Sequence, residues 1–364
     1  MLDLRTQNKS IEGVFGFDIP KFLRMPAVGV NMSDHSIKVI ELLPNKSGFS
    51  VGRYMNKFIP DGIIAGGIVR DEQELISILS KIKSELKIDF IRASVPEENA
   101  YSFNMVLPVF SEKELYNTIK FQLSENVPLS PEESVFDYDI VGYVGDKIDV
   151  SVSVLPAGVI SKYVNFFKEA GMTPIALEIE AQTLARAVVS KANKGVTMIV
   201  DIGRTRTGVA IVSGTVVHYT STLEIGGDSF IEAIMKEKKV TFAKADILKQ
   251  DRGVIKGDNS IYDTIANPLS ALKEELARRI EYWETHISKN GKKDKSISQI
   301  ILCGGNATTP GLQEYFSVGL KISVDISNVW INVFSSDSQY LPPIDFKHSL
   351  GFASAIGLAL SNEI

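Results

Sequence analysis

The stretch Val200-Asp201-Ile202-Gly203-Arg204-Thr205-Arg206-Thr207-Gly208-Val209-Ala210-Ile211-Val212 decides how the rest of the chain reads. The run just before it, residues 196–200, is apolar and rich in β-branched side chains, as strands are. A turn of Gly, Thr and Arg follows, then a second apolar run. Ser213-Gly214 gives another turn signal, and residues 215–220 read as a third strand. The first turn of this meander thus holds a carboxylate, glycines and hydroxyls. Such a turn can offer backbone N–H groups to a phosphate while Asp201 holds a hydrated metal. An ordinary hairpin with polar turn residues fits the same letters, and the stretch alone leaves both readings open.

A second stretch narrows the choice. Val28-Gly29-Val30-Asn31-Met32-Ser33-Asp34-His35-Ser36-Ile37-Lys38-Val39-Ile40 aligns with the first without a gap. Asn31 falls on Asp201, Ser33 on Gly203, His35 on Thr205 and Val39 on Val209. An internal duplication of this kind sets the fold expectation. It implies an α/β chain of two similar lobes, residues 27–190 and 191–364, after an arm of residues 1–26. Two lobes facing each other would put both polar turns at the floor of one cleft, which favours a phosphate clamp over two unrelated hairpins.

Between the hairpins, Leu75, Ile76, Leu79, Ile82 and Leu86 mark an amphipathic helix over 71–86. Strands are expected at 92–95 and 101–107. Ser111 with Glu114 makes a capping box for a helix to about residue 125, and alternating strands follow at 135–141 and 147–155. Residues 93–156 therefore read as a small α+β subdomain inserted in the first lobe. A helix over 161–170 stops at Gly171. A strand at 175–179 and a helix over 180–190 then lead into the second lobe.

In that lobe Gly226-Gly227 precedes a helix over 229–236, an arrangement that favours anion approach. Asp246 and Lys249 lie on one face of a helix over 242–250, where an ion pair is the simplest reading. Residues 265–287 form a long amphipathic helix, and 289–295 a basic loop. A buried strand over 297–303 ends in Gly304-Gly305-Asn306, where a flat ligand or phosphate can approach the backbone.

Composition removes several function classes. The net charge of −5 gives no broad positive field for nucleic acid. The single cysteine, Cys303, excludes an internal disulfide and a multi-thiolate metal site. The four histidines show no zinc-hydrolase spacing. No apolar run approaches the ~20 residues of a membrane span, and no secretory signal pattern opens the chain, so a cytoplasmic protein is expected.

The ordered set of motifs resembles the actin-like ATPase superfamily, which includes actin and the division protein FtsA. Within it, the chain is most similar to the family of the type IV pilus assembly protein PilM. The residues that carry this likeness include Leu107-Pro108, Val127-Pro128-Leu129, Phe136-Asp137-Tyr138, Arg278-Arg279 with Tyr282-Trp283, and Gly357-Leu358-Ala359-Leu360. The resemblance implies ATP with Mg²⁺. By family match, Ser33 and Lys38 belong to the first phosphate turn, and Asp201, Gly203, Arg204, Thr205 and Thr207 to the second, with Asp201 as metal anchor. Gly226 and Gly227 join them. Asp246 and Lys249 approach ribose and adenine, Gly304, Gly305 and Asn306 form the adenosine motif, and Glu180 orients the attacking water.

The first turn departs from the family pattern, with Asn31 in place of an acid and Ser33 in place of Gly. Slow or absent hydrolysis is therefore expected. The resemblance further implies a cytoplasmic scaffold of a pilus or related secretion machine. Such a scaffold binds the N-terminal tail of a PilN-like membrane protein, sits at the inner membrane among other platform components, and admits a homo-oligomer. A sugar or acid kinase with Glu180 as base, or an FtsA-like polymerising protein, would use the same fold. An FtsA-like chain would end in an amphipathic membrane helix, whereas the Ala-rich helix from Ser349 is only weakly amphipathic.

Overall fold

The computed structural model describes residues 28–45, 48–257, 260–285, 296–335 and 339–360. The expected arm of residues 1–26 and the basic tract 289–295 lie outside them. Two compact units emerge. One gathers the described residues up to Ala187 with those of Val333–Pro343 and from Ser354 onward; the other is Val188–Asn332 with Ile344–Ala353. The chain therefore returns to its first lobe at the end, where a second lobe running through to residue 364 was expected.

The first lobe opens with β1 (Val28–Met32), β2 (Ser36–Asn45) and β3 (Gly48–Phe58), an antiparallel meander. A tiny hairpin follows, β4 (Ile64–Ala65) and β5 (Ile68–Val69). Gly66 and Gly67 turn it with φ of 62° and 69°, the left-handed pair that a two-residue turn matched to strand twist requires. Helix α1 (Glu72–Leu86) starts where the Asp71 side chain accepts the Glu74 N–H. It buries Leu75, Ile78, Leu79 and Ile82, each contributing roughly 1.5–3 kcal/mol relative to exposure. β6 (Phe90–Val95) then runs parallel to β1.

Next come β7 (Tyr101–Pro108), α2 (Glu112–Asn126), β8 (Ser134–Val144) and β9 (Lys147–Pro156), which make a separate sheet in the order β7-β9-β8. Helix α2 covers one face of it over Met105, Leu115, Ile119, Leu123, Val150 and Val152. The expected capping box is present: Glu114 accepts from both the Ser111 N–H and the Ser111 hydroxyl. This subdomain begins after β6, later than the expected residue 93. Ala93, Ser94 and Val95 are buried and pair with the next strand of the main sheet, so they complete the lobe rather than the insertion.

Helix α3 (Ala157–Glu169), β10 (Thr173–Ile179) and α4 (Glu180–Val188) close the lobe, whose sheet order is β10-β6-β1-β2-β3. Helix α3 starts four residues before the expected 161, because its N-cap is Pro156 and no Ser, Thr, Asp or Asn announces it.

The second lobe repeats the plan. β11 (Val196–Ile202), β12 (Thr207–Ser213) and β13 (Val216–Leu223) form the meander, followed by α5 (Gly227–Lys238), α6 (Phe242–Arg252) and α7 (Tyr262–Thr285). β14 (Ile297–Cys303), α8 (Leu312–Leu320) and β15 (Ser323–Ile326) complete the sheet, in the order β13-β12-β11-β14-β15. Cys303 is fully buried, a small hydrophobe at the end of β14.

The duplication extends to the register. Gly29 pairs with Ile40, Asn31 with Lys38 and Met32 with Ile37. In the second lobe Ile199 pairs with Ala210, Asp201 with Gly208 and Ile202 with Thr207. Every pair occupies the position that the ungapped alignment assigns. The parallel partners correspond as well, since Val30 faces Ala93 where Val200 faces Leu302.

After α9 (Phe346–Ser349), α10 (Ala353–Leu360) returns to the first lobe. There it packs so closely that a Cβ on Gly29 would overlap the Ala355 carbonyl, and one on Gly357 the Thr183 carbonyl. Thr183 Oγ1 and Ser354 Oγ bond at 2.7 Å, and Arg186 Nη1 donates to the Gly357 carbonyl at 2.9 Å.

Candidate functional site

In the second lobe, Asp201 is the half-buried penultimate residue of β11. Across the ladder lies Gly208, and on the other side Gly304, at φ +85°, where any Cβ would strike Asp201 Oδ1 and the Ile202 carbonyl. The carboxylate is therefore flanked by two positions without side chains. The turn beyond it is closed by Gly203 N–H donating to the Arg206 carbonyl at 2.9 Å.

A brace holds this turn from behind. Asp246 Oδ1 accepts from Lys249 Nζ at 3.0 Å, and the same ammonium donates to Asn306 Oδ1 at 2.8 Å. Asn306 Nδ2 in turn donates to the Gly203 carbonyl at 2.8 Å. Lys249 is only 5% exposed, so its charge is carried by the Asp246 carboxylate and the amide rather than by water. What the sequence offered as a surface ion pair is a buried strut that reaches from α6 to the turn.

Three residues expected at the phosphates make structural contacts. Gly226 lies against the backbone of residues 204–206, and Gly227 against the Asn306 amide. The first N–H groups of α5 are occupied: Gly227 donates to the Gly203 carbonyl at 3.1 Å and Asp228 to that of Arg204 at 2.8 Å. Thr207 is fully buried, and its hydroxyl donates to the Ile225 carbonyl at 2.6 Å. Arg204 turns its Nε to Asp228 at 2.9 Å and its guanidinium over the Phe242 ring. Thr205 sits half-buried in the turn, and Gly305 is exposed with open space around it.

The corresponding turn of the first lobe is built from different chemistry. Ser33 N–H donates to the Ser36 carbonyl at 2.9 Å, and Lys38 Nζ to Ser36 Oγ at 2.6 Å. An ammonium backed by hydroxyls suits a phosphate oxygen. Asp34 is turned inward, where its two oxygens accept from Gly66 and Gly67 N–H at 3.1 Å each. Asn31, 5% exposed, spends both amide hydrogens: Nδ2 donates to Ser94 Oγ at 2.9 Å and to Glu180 Oε1 at 2.7 Å.

Glu180 opens α4, and the next two residues are also tied. Ala181 N–H donates to both Glu97 carboxylate oxygens at 3.2 Å, and Gln182 Nε2 donates to Ser153 Oγ of the insertion at 3.1 Å. These partners are 84, 29 and, for Asn31, 149 residues away in sequence, too far for any periodicity to reveal. Ion pairs stiffen the same lobe. Hydrogen bonds from Arg53 hold the Glu41 carboxyl below the usual carboxylate range, outweighing its burial. Glu178 links Arg186, at 2.6 Å, with the buried Arg92, whose pKa burial lowers.

Among the described residues, no helix is long and apolar enough to cross a membrane, and no cluster of His, Cys, Asp and Glu could hold a metal unaided.

Two sheets of identical order, each led by a polar hairpin turn, define the actin-like fold. Solved structures agree. The chain superposes on EutJ, an ethanolamine utilization protein from Carboxydothermus hydrogenoformans, with a TM-score of 0.55 at 15% identity over 93% of this chain and 90% of that one. It superposes on the ADP-bound MreB5 of Spiroplasma citri with a TM-score of 0.52 at 14% identity, over 85% and 93%. A PilM–PilN type IV pilus biogenesis complex matches more fully, with a TM-score of 0.77 at 20% identity over 94% of this chain and 100% of that one. The family follows from the sequence itself: residues 29–363 match the model of the type IV pilus assembly protein PilM, and the chain belongs to that family.

Proposed function

We propose that this chain is an ATP-binding scaffold of a type IV pilus or related secretion machine. It works at the cytoplasmic face of the inner membrane, where it binds the N-terminal tail of a PilN-like protein. The observation that carries the reading is the shared register of two polar turns in a PilM-family chain. The family match and the PilM–PilN neighbour support this function over a kinase or a polymerising division protein.

The residues present suit Mg²⁺–ATP. Asp201 is a hard oxygen donor beside Gly208 and Gly304, and Mg²⁺ is commonly held through one or two carboxylates with waters and phosphates filling the other positions. Asp201 anchors the hydrated metal, Lys38 neutralises phosphate charge, and the Asp246–Lys249–Asn306 strut keeps the second turn in shape. When bound, Mg²⁺–ATP would supply a polarised terminal phosphoryl group, and Glu180 would be the residue to orient a water. Because β1 ends in an amide instead of a second acid, turnover is slow or absent.

Calorimetric titration of the full chain with Mg²⁺–ATP, and separately with a synthetic peptide of the PilN-like tail, tests the proposal. Binding of both is expected; silence towards both overturns it.

A further inference from the structure

We propose that Asn31 is a positioning residue for Glu180: the amide near the end of β1 holds the carboxylate at the start of α4. The inference rests on the reading of Glu180 as the water-orienting group. The geometry of the contact is what carries it. Asn31 Nδ2 lies 2.7 Å from Glu180 Oε1, a bond that only a donor can make, because a carboxylate accepts and does not donate. The second amide hydrogen goes to Ser94 Oγ at 2.9 Å, which fixes the amide plane. An aspartate at this position would set two carboxylates within hydrogen-bond distance of each other. One of them would then have to take up a proton or swing away.

The remaining contacts of the α4 start point the same way. Glu97 receives the Ala181 N–H with both oxygens, so the helix end that bears Glu180 is held from a second side. The other charged groups of this region are committed elsewhere: Glu178 pairs with Arg186 and Arg92. Ser94 itself stands where the second lobe has Cys303, since Asp201 pairs with Cys303 and Asn31 falls in register beside Ser94. The second lobe therefore has neither the hydroxyl nor the amide of this arrangement. Its Asp201 carboxylate lies between Gly208 and Gly304, whereas the first lobe's strand end is turned into a clamp.

The test is a double-mutant cycle on the full chain with two readouts. The first is the thermal midpoint of the protein without nucleotide between about pH 3.5 and pH 8. Asn31→Asp should match the wild type within about 2 °C at about pH 3.5, below the unfolded carboxyl value, and fall at least about 5 °C below it at pH 8. The sign follows from the raised carboxyl pKa of the crowded pair: its stability is present at low pH and lost as pH rises through that value. Asn31→Asp with Glu180→Gln restores one amide facing one carboxylate and should return the midpoint to within about 2 °C of wild type at both pH values. Parallel pH profiles for Asn31→Asp and wild type, or no rescue in the double variant, overturn the positioning role.

The second readout is phosphate release from Mg²⁺–ATP, with affinity measured alongside. Asn31→Ala should slow release about tenfold while leaving the Kd within about threefold, since the lost group orients rather than binds. Equal release by wild type and Glu180→Gln overturns the reading of Glu180, and the melting cycle then still decides whether the pair exists.

Discussion

The two hairpins share the four backbone pairings next to the turn and differ in charge. At the same rung of the same ladder, the first lobe sets Asn31 opposite Lys38, and the second sets Asp201 opposite Gly208. One strand end thus presents a clamped amide and a cation, the other an acid between two glycines. Backbone hydrogen bonds and the buried β-branched runs dictate the register, so it survives duplication. The side chains of the turns bond to different neighbours in the two lobes, Asn31 to Ser94 and Glu180 in the first and Thr207 to the Ile225 carbonyl in the second. Topology and chemistry can therefore drift at different rates within one chain.

The most damaging way to break this asymmetry is Asp201→Ala. It should weaken Mg²⁺–ATP binding by about a hundredfold or more, ~2.7 kcal/mol, while circular dichroism stays unchanged; an unaltered affinity would refute the metal-anchor role. Next in size is Lys249→Met. Removing the ammonium takes the donor from Asn306 Oδ1 and Asp246 Oδ1, and should cost about 2 kcal/mol of unfolding free energy in urea titration. A cost below about 0.5 kcal/mol would mean that the strut does not hold the turn.

Lys38→Met probes the cationic turn. About a tenfold loss of ATP affinity is expected, ~1.4 kcal/mol, with adenosine affinity unmoved. Equal losses for both ligands would remove the phosphate from the first lobe's role. The smallest effect is a pH dependence confined to the first lobe. The Glu41 carboxyl is held low by Arg53, so its contribution is present above the unfolded value of about 4.3 and disappears as pH falls through the lower folded value. Glu41→Gln should flatten the fall of the melting midpoint between about pH 5 and pH 3; an unchanged acid limb would place that sensitivity elsewhere.

Local signals were legible in the sequence. The capping box at Ser111, the α1 stripe and the aligned hairpins all depend on residues within one element or on a gap-free repeat. The start of the insertion was not, because β6 buries Arg92 in mid-strand beside Glu178, and a charged residue in an apolar run does not announce a core strand. Neither were the contact of Lys249 with Asn306 and the partners of Asn31 and Asp34. Each side chain reaches an element distant in sequence, and nothing in the spacing of either marks the contact. The start of α5 at Gly227, two residues before the expected 229, was hidden because its first N–H groups bond to carbonyls of the 203–204 turn rather than to a capping side chain of their own.

Helix α10 lies against β1 at Gly29 and against α4 at Gly357, with no room for a methyl group at either contact. The first lobe is therefore assembled from both ends of the polypeptide, whereas the five-stranded sheet of the second lobe is complete by Ile326. A ribosome delivers every strand of the second lobe before it delivers the helix that covers the first. The lobe synthesised earlier is the one that finishes later, and a chain cut short after Phe352 would lack the helix that packs on Gly29 of β1 although every strand of the second lobe had been made.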